Sequence, residues 1–388
     1  MFRTSFALAI LFLAAILCKA QTSAPQRRES QLDAIFAPLA DDHSPGLAVL
    51  VRKNGGTVFE RGYGVRDLRT LAKIDAHTNF RLASCTKQFT AMSIMLLAHD
   101  GKLHYNDKLT EVFPDFPAYG KGITIRHLLN HTSGLPDYED LMDAAEKREG
   151  HAIWTTEHQI RDDQVLTLLK QETSGKFAPR TKWSYSNSGY VVLGLIVAKI
   201  SGKPFPDFLR ERIFAPLKMD HTLAYVAGRN EIPERAYGHS KNGGQFVETD
   251  QSPTSATLGD GGVYSTLEDI AEWDDALARH RLLSEQEMQP ALTPVRLADG
   301  SEPKWPGEGE PSSDNLHPGR PVSYGFGWFL DPYMGRARMY HHGGTMGFST
   351  YILRFPHERL TVIVLCNRTD LDPETLALKV VDFHFAVQ

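Results

Sequence analysis

A serine and a lysine three residues apart open a strongly apolar stretch of this chain. Ser84 and Lys87 stand where a loop turns into a predicted helix that continues over 88–98. Positions i and i+3 share one face of a helix, so the Lys87 ammonium can lie beside the Ser84 hydroxyl. Backbone N–H groups at a helix N-terminus also favour an alkoxide or an oxyanion. The pair predicts an activated serine nucleophile, but it also fits an ordinary helix start with an exposed lysine.

Two further polar clusters adjoin apolar segments later in the chain. Tyr185 and Asn187 come just before a strongly apolar predicted helix at 191–200. A His-His-Gly-Gly run at 341–344 ends a predicted strand. Three marks therefore follow one another: Ser-x-x-Lys, Tyr-x-Asn and His-His-Gly-Gly.

In this order, the three marks resemble the motifs of the serine β-lactamase and penicillin-binding-protein superfamily, in particular its class C β-lactamase-like branch. That branch holds class C β-lactamases, D-alanyl-D-alanine carboxypeptidases, D-amino-acid peptidases and esterases. Further matching stretches lie at 125–129, 131–136, 261–266 and 324–328. The resemblance spans almost the whole mature chain, and it is specific to the superfamily rather than to one activity.

The resemblance implies a role for each residue of the first two marks. Ser84 would be the acylated nucleophile, and Lys87 would keep its hydroxyl activated. Tyr185 would act as the general base, first toward Ser84 and later toward the deacylating water. Asn187 would hold a substrate amide and help to orient Lys87.

The resemblance also implies a second wall of the site. The strand bearing His341 would bind substrate, and Gly343 would let the acyl group approach the backbone closely. The N–H groups of Ser84 and Gly344 would form the oxyanion hole. Removing one such donor typically raises the barrier by about 3–4 kcal/mol.

Physical chemistry supports a coupled base at this site. A serine hydroxyl is a poor nucleophile unless a neighbouring base takes its proton. A tyrosine, with a reference pKa of about 10, is a base only where nearby cations favour its phenolate. Lys87 is the obvious cation, and a desolvated lysine can itself act as the base. The sequence leaves open whether Lys87 or Tyr185 holds the proton.

The third mark departs from the class C pattern. Class C β-lactamases have lysine at the position of His341, and His342 replaces a small hydroxyl residue that would bind a substrate carboxylate. Histidine has a reference pKa of about 6.5, so it is mostly neutral at mildly alkaline pH. We therefore expect neutral esters to be better substrates than penicillins, with carboxylate-bearing substrates gaining as the pH falls through the pKa of His341. Arg336 or Arg338 is an alternative source of the missing cation.

The resemblance implies an α+β, β-lactamase-like fold: a mainly antiparallel sheet with helices on both faces, plus an all-helical lobe. We expect one domain over 21–388, built from an amphipathic helix at 32–39, a first hairpin with strands at 46–51 and 57–63, later strands at 338–341, 347–355 and 360–366, and a final helix at 373–385. Two long polar stretches, 137–165 and 296–323, are candidate walls of a substrate cleft or simple surface loops.

Residues 1–20 have the pattern of a secretory signal peptide, with cleavage expected after Ala20. The protein is thus expected to be secreted or periplasmic. Lipid attachment at Cys18 and an uncleaved membrane anchor are the alternatives. Two cysteines then remain, Cys85 and Cys366, and we expect both to be buried thiols.

The formal net charge is −5 and the chain has no basic cluster, so no nucleic-acid partner is expected. A small-molecule or peptide substrate is expected, with no cofactor and no stable membrane partner, and the oligomeric state stays open. His127 and His131, four residues apart, are a possible metal pair but more often such histidines are structural. Two Asn-x-Ser/Thr sequons occur, at Asn130 and Asn367.

The expected reaction is acyl transfer to water through an acyl-enzyme on Ser84. The substrate is open among esters, D-amino-acid peptides or amides, and β-lactams. A penicillin-binding or sensor domain that acylates without efficient deacylation is one alternative, and a true class C β-lactamase is another. A metallohydrolase that uses some of the 16 histidines is a third.

Overall fold

The structure is a computed structural model that describes residues 24–308 and 317–386. The expected signal segment and its cleavage site lie outside these residues. The strands of the described part are β1 (Leu47–Lys53), β2 (Gly56–Tyr63), β3 (Val65–Asp67), β4 (Ala72–Lys73), β5 (Phe80–Arg81), β6 (Leu223–Ala224), β7 (His239–Asn242), β8 (Gln245–Glu248), β9 (Val263–Ser265), β10 (Met339–Thr345), β11 (Phe348–Phe355) and β12 (Leu360–Cys366).

Most helices lie between the early strands and the late ones, while the first helix precedes β1 and the last one follows β12. The helices are α1 (Ala24–Phe36), α2 (Lys87–His99), α3 (Leu109–Val112), α4 (Ile125–Leu129), α5 (Tyr138–Glu149), α6 (Asp162–Gln171), α7 (Asn187–Ser201), α8 (Phe205–Leu209), α9 (Ala215–Leu217), α10 (Leu267–Ala278), α11 (Glu285–Met288) and α12 (Pro373–Ala386). This mixture of helices and antiparallel strands confirms the predicted α+β class.

The main sheet joins the two ends of the chain. Its strand order is β10-β11-β12-β1-β2, and each neighbouring pair is antiparallel. The β1–β2 turn is made by Asn54 and Gly55, whose φ angles of 55° and 81° are left-handed. Such angles are typical of the tight hairpin turns that match strand twist, so the predicted hairpin is confirmed.

The two faces of this sheet pack against different sets of helices. Along β1, Leu47 and Val49 belong to a core that also contains side chains of α1 and α12. Ala48 and Leu50 point the other way and belong to the larger core, with side chains of α2 and α7. Successive strand residues face opposite sides, so an uninterrupted apolar strand indicates a sheet covered on both faces.

The first long polar stretch is more regular than the sequence suggested. The interpretation of 137–165 as a simple surface loop is wrong over α5, which occupies Tyr138–Glu149. The Asp137 side chain accepts a hydrogen bond from the N–H of Glu139, and Gly150 ends the helix with a φ of 76°. Capping at both ends explains a helix that is mostly charged on its surface.

Several isolated expectations are settled by burial. Cys85 and Cys366 are both free and buried, as predicted. The sequon residues Asn130 and Asn367 are 5% and 0% exposed, so the folded chain presents neither for modification. Within 24–308 and 317–386, no helix has both the length and the apolar character needed to cross a membrane.

Candidate active site

Ser84 lies in a short 3-10 turn, Ala83–Thr86, that leads directly into α2. Ser84 is half-buried, whereas its neighbours in the turn are buried. Ala83, the preceding residue, has a left-handed φ of 47°. Non-glycine residues in this region are strained and cluster at functional sites, where the surrounding structure holds them. The backbone therefore turns sharply just before the one accessible side chain of the turn.

This turn is fastened to the neighbouring strands on both sides. The Thr350 hydroxyl donates to the carbonyl of Leu82 at 2.9 Å, and the Cys85 thiol donates to the carbonyl of His341 at 3.2 Å. On the other side, the N–H of Val263 donates to the Thr86 hydroxyl at 3.1 Å. Contacts from β9, β10 and β11 thus hold Ser84 rigidly, which is what a positioned nucleophile requires.

Lys87 is completely buried, and its ammonium group faces three oxygen acceptors. Its Nζ lies 2.9 Å from Ser84 Oγ, 2.8 Å from Asn187 Oδ1 and 3.0 Å from the carbonyl oxygen of Asp260. A buried ammonium is stable only when its donors are satisfied. These contacts bring together residues 84, 87 and 187, as the sequence marks predicted.

Tyr185 completes this group. It is 4% exposed, and Lys87 Nζ lies 4.9 Å from the centroid of its ring. Tyr185 stands just before α7, whose first turn is capped by the Ser186 hydroxyl accepting from the N–H of Gly189. Helix α7 packs against α2. The contact between these two apolar helices therefore brings the Tyr-x-Asn motif next to the Ser-x-x-Lys motif.

Sequence reasoning missed the role of His131. This buried residue accepts a hydrogen bond at Nδ1 from the N–H of Ser186 at 3.1 Å, and its ring centroid lies 4.4 Å from that of Tyr185. Burial, followed by the charge of Lys87, lowers the pKa of His131 well below its ordinary value. His131 is therefore neutral and supports the Tyr185 segment. The available signal was its place in the family-like stretch 131–136.

His127 and His131 each accept a hydrogen bond from a backbone N–H, which is a structural role and not that of a metal-ligand pair. His127 Nδ1 accepts from the N–H of Thr124 at 3.2 Å, at the start of α4. His131 Nδ1 is used by Ser186. Across the described ranges, no group of three or more His, Cys, Asp or Glu side chains is placed to hold a metal ion.

His341 lies behind the site and is fully buried. Its Nδ1 donates to the carbonyl of His342 at 2.6 Å, so Nε2 accepts from the Tyr324 hydroxyl at 3.1 Å. Burial, then the charges of His342 and Lys87, lower the pKa of His341 well below 6.5. The expected titration near the reference pKa is therefore wrong, because the buried imidazole already has both nitrogens paired in its neutral form.

His342 faces the other side of β10 and is half-buried. Its ring stacks on Phe329, with centroids 5.4 Å apart. Burial and the charge of Lys87 lower the pKa of His342 to about 4. Trp305, from the second long polar stretch, packs against Phe329 at 5.7 Å and against Trp183 at 4.8 Å. The described part of 296–323 therefore lines this side of the site.

The two glycines after His342 have different environments. A Cβ on Gly343 would lie 2.3 Å from the carbonyl oxygen of Leu82 and 2.3 Å from the Thr350 hydroxyl. The expected role of Gly343, letting an acyl group approach, stays a prediction. This glycine makes room for the turn that carries Ser84. A Cβ on Gly344 would meet nothing within 4 Å, so Gly344 borders open space.

The backbone of β10 is partly free along its outer edge. This strand is the edge of the main sheet, and the N–H of Tyr340 donates outward to Phe329. N–H groups alternate in direction along a strand, so the N–H of Gly344, four residues on, points to the same outer side. That direction suits a donor to a ligand held against the edge.

Neither nearby arginine supplies the cation that a lysine would provide. Arg338 is 8% exposed and pairs with Asp331 at 2.7 Å. The guanidinium of Arg336 lies over the ring of Phe385, 4.2 Å from its centroid, against the last helix. Both side chains are engaged away from Ser84.

Comparison with known proteins agrees with this geometry. A family model described as Beta-lactamase matches residues 32–384. Penicillin-binding protein 4* of Bacillus subtilis (strain 168) is 34% identical over 91% of this chain and 75% of its own length. Protein flp of Staphylococcus aureus (strain N315) is 26% identical over 87% of this chain, which spans 63% of that protein.

Solved structures share the fold. A penicillin-binding protein homologue from Pyrococcus abyssi, described as octameric, superposes with a TM-score of 0.74 at 22% identity, covering 94% of this chain and 78% of that one. D-amino acid amidase from Ochrobactrum anthropi SV3 gives a TM-score of 0.72 at 25% identity, covering 91% and 99%. With a family model matched over nearly its whole length, the chain belongs to the beta-lactamase family and is a serine hydrolase.

Proposed function

We propose that this serine hydrolase forms an acyl-enzyme on Ser84 and prefers acyl donors that lack a carboxylate, namely carboxylic esters and amides, including D-aminoacyl amides. The observation that carries the proposal is the position of Lys87 Nζ, 2.9 Å from Ser84 Oγ and 2.8 Å from Asn187 Oδ1. The similarity to a D-amino acid amidase supports the amide part of the proposal.

The first half of the reaction is acylation. The Lys87 ammonium donates to Ser84 Oγ, which favours the developing alkoxide, and it favours a phenolate on Tyr185. The Ser84 proton passes to the Tyr185 oxygen while Oγ attacks the substrate carbonyl carbon. The oxyanion accepts from the N–H groups of Ser84 and Gly344. As the carbonyl re-forms, the alcohol or amine leaves with the proton from Tyr185.

Deacylation repeats these steps with water. Tyr185 takes a proton from the water, whose oxygen attacks the acyl carbon. Collapse of the second oxyanion breaks the bond to Ser84 Oγ, and the proton returns from Tyr185 to that oxygen. The products are a carboxylic acid and the regenerated hydroxyl. Asn187 keeps Lys87 in place throughout.

The substrate preference rests on the missing cation. His341 is buried with both nitrogens paired, and Arg338 is paired with Asp331. A hydrogen bond between neutral groups is worth about 0.5–1.5 kcal/mol, against roughly 1.5–3 for one to a charged group. Carboxylate-bearing substrates such as penicillins therefore lose about tenfold in affinity relative to a site with lysine.

A substrate panel on the purified protein tests the proposal. We expect p-nitrophenyl butyrate and D-phenylalanine amide to be hydrolysed faster than a chromogenic cephalosporin. Ser84→Ala should abolish turnover, and a serine-directed phosphonate should label only the Ser84 peptide. Ser93→Ala is the matched control, because Ser93 lies on the same helix and donates to the carbonyl of Phe89.

Three outcomes contradict the proposal. Activity that survives Ser84→Ala removes Ser84 as the nucleophile. Cephalosporin hydrolysis with kcat/KM above about 10⁴ M⁻¹s⁻¹, with esters untouched, identifies a β-lactamase instead. A burst of acylation without turnover identifies a penicillin-binding or sensor protein, the class named by the Bacillus relative.

We further propose that the protein is exported and that the mature chain begins at Gln21. The support is the apolar core of 1–20 and the small residue Ala20 before the expected cleavage site. N-terminal sequencing of the exported protein tests this. A retained Met1, or a lipid on Cys18, would overturn it.

A further inference from the structure

A cavity apart from the Ser84 site is lined by arginines. Its volume is about 660 Å³. We name it the arginine pocket and define it by Arg126, Arg180, Arg296, Asn130, Gln289 and Phe326. Among the described residues that line it, none is an aspartate or a glutamate. Three arginines in a lining that contributes no acidic residue are unexpected in a chain whose net charge is −5.

Arg126 is held in place without a carboxylate. Its guanidinium lies 5.1 Å from the ring centroid of Tyr105 and 5.7 Å from that of Phe326. Aromatic faces attract a cation without using its N–H donors. Within the part of the chain that the structure describes, Arg126 has no acidic partner, so its planar set of donors is available to a ligand.

Arg180 is positioned by its backbone rather than by an ion pair. Its φ is 69°, its N–H donates to Thr132 at 2.8 Å, and its carbonyl accepts from Ala298 at 2.9 Å. The Nε donates to the carbonyl of Arg296 at 3.4 Å, and no carboxylate of the described ranges pairs with this side chain. The two main-chain hydrogen bonds of Arg180, with Thr132 and Ala298, therefore fix the place where its side chain enters the pocket.

Arg296, the third arginine, is partly neutralised by an acidic residue, whereas His127 shows the effect of the other two arginines on the pocket. Arg296 pairs with Glu302 at 3.0 Å on the exposed side. Burial, then the charges of Arg180 and Arg126, lower the pKa of His127 to about 4. Both unpaired guanidinium groups are therefore close enough to raise the potential at His127, on the wall of the same cavity.

We propose that the arginine pocket binds a small organic oxyanion, a molecule of sugar-phosphate or tricarboxylate size that carries a phosphate or a carboxylate. Guanidinium groups bind both oxyanions in a bidentate manner. The cavity volume is within the range of small-molecule sites, well above that of a single inorganic ion. The amides of Asn130 and Gln289 supply neutral partners for the rest of such a molecule.

Calorimetric titration of the full-length protein at constant ionic strength tests this. The probes are glucose 6-phosphate and citrate, with glucose as the uncharged comparison. We expect saturable binding of at least one anion and none of glucose. Arg126→Gln and Arg180→Gln should each weaken binding by about tenfold or more, the usual effect of losing one charge-assisted pair.

Two further variants control for folding and for simple charge effects. Gln289→Glu replaces the side chain by one of the same shape and adds a negative charge at the exposed lining. It should therefore also weaken anion binding, although every arginine of the pocket remains. Arg148→Gln removes one positive charge on α5, away from the pocket, and should leave binding unchanged. Binding of only the phosphate or only the carboxylate supports the pocket and identifies the preferred group.

The proposal is overturned by several results. If neither glucose 6-phosphate nor citrate saturates the protein by about 10 mM, near the weak end of specific affinities, the proposed site does not exist. Equal weakening by Arg148→Gln and Arg126→Gln shows non-specific attraction only. Binding that survives both pocket variants and Gln289→Glu places the anion elsewhere. Because Ser84→Ala keeps the pocket, the same titration on that variant separates this proposal from the one on catalysis.

Discussion

Tyr324 donates its hydroxyl proton to His341 Nε2 at 3.1 Å, while His341 Nδ1 donates to the carbonyl of His342 at 2.6 Å. The buried imidazole is thereby neutral, with one donor and one acceptor used. A proton added at Nε2 would be repelled by the charge of Lys87, and it would break the hydrogen bond that Nε2 accepts from Tyr324. His341 stands where class C enzymes have a lysine, and in this neutral, paired state it cannot supply the positive charge of that lysine.

The relative rates for anionic and neutral substrates should therefore not depend on His341 across ordinary pH. Burial and neighbouring charges lower the pKa of His341 well below 6.5. We expect the ratio of kcat/KM for a carboxylate-bearing ester to that for its neutral analogue to stay flat between about pH 5.5 and 8. The measurement is a pH profile of both esters. A rise in that ratio centred near pH 6.5 would contradict this assignment.

Acid should destabilise the protein through a histidine that stays neutral in the folded state. His342 takes a proton near pH 6.5 when unfolded but only at about pH 4 when folded, because burial and Lys87 lower its pKa. Between these values the unfolded state holds more protons, so stability falls as the pH falls. His342→Gln should recover about 1–2 kcal/mol of the loss between pH 6.5 and 4 in urea titrations. His357→Gln, at an exposed position, is the control, and an equal recovery there would refute the argument.

Lys87→Arg should lower kcat/KM by at least about a hundredfold with little change in unfolding temperature. A single ammonium nitrogen meets Ser84, Asn187 and the Asp260 carbonyl. A planar guanidinium cannot reproduce three bonds from one atom. Steady-state kinetics on p-nitrophenyl butyrate gives the measurement, and Lys102→Arg, at an exposed position after α2, is the matched change. Near-normal turnover in the Lys87 variant would remove it from the mechanism.

His131 should act as a positioning residue for Tyr185. Its Nδ1 accepts from the N–H of Ser186, and its φ is 61°. Asparagine tolerates a left-handed backbone and offers a carbonyl acceptor, so His131→Asn should keep more activity than His131→Ala. We expect kcat to fall about tenfold or more in the alanine variant with KM little changed. His127→Asn is the control on the same segment. Equal kcat values for the alanine and asparagine variants would show that the hydrogen bond does not matter.

A buried ionic cluster between the main sheet and α10 should contribute strongly to stability. Asp274 accepts from Arg354 at 2.7 Å, from Thr361 at 2.8 Å and from Arg52 at 3.1 Å. Asp274→Ala leaves the buried Arg354 without a carboxylate and Arg52 with Asp275 alone, and it should cost about 3–5 kcal/mol in urea unfolding. Glu272→Ala, on the exposed side of the same helix, should cost less than about 0.5 kcal/mol. Similar losses in the two variants would contradict the burial argument.

Local signals predicted most of the elements around the site. The apolar run after Ser84 predicted α2, and the Asn-Gly turn predicted the β1–β2 hairpin. Thr266 is a residue type that favours helix N-caps, and its side chain accepts from the N–H of Asp269 at the start of α10. Periodicity alone missed α5, because its charged surface hides the capping that Asp137 and Gly150 provide.

The sequence by itself determined the family resemblance and the Ser84–Lys87 pair, since both depend on residue type and on short spacing along one helix. The tertiary structure alone decided how distant groups meet. It placed Thr350 against the turn before Ser84, which is why Gly343 must lack a side chain. It also buried His341 under Tyr324 and made it neutral. Hydrogen-bond partners and burial depend on residues far apart in the chain, so the composition of the motif could not reveal them.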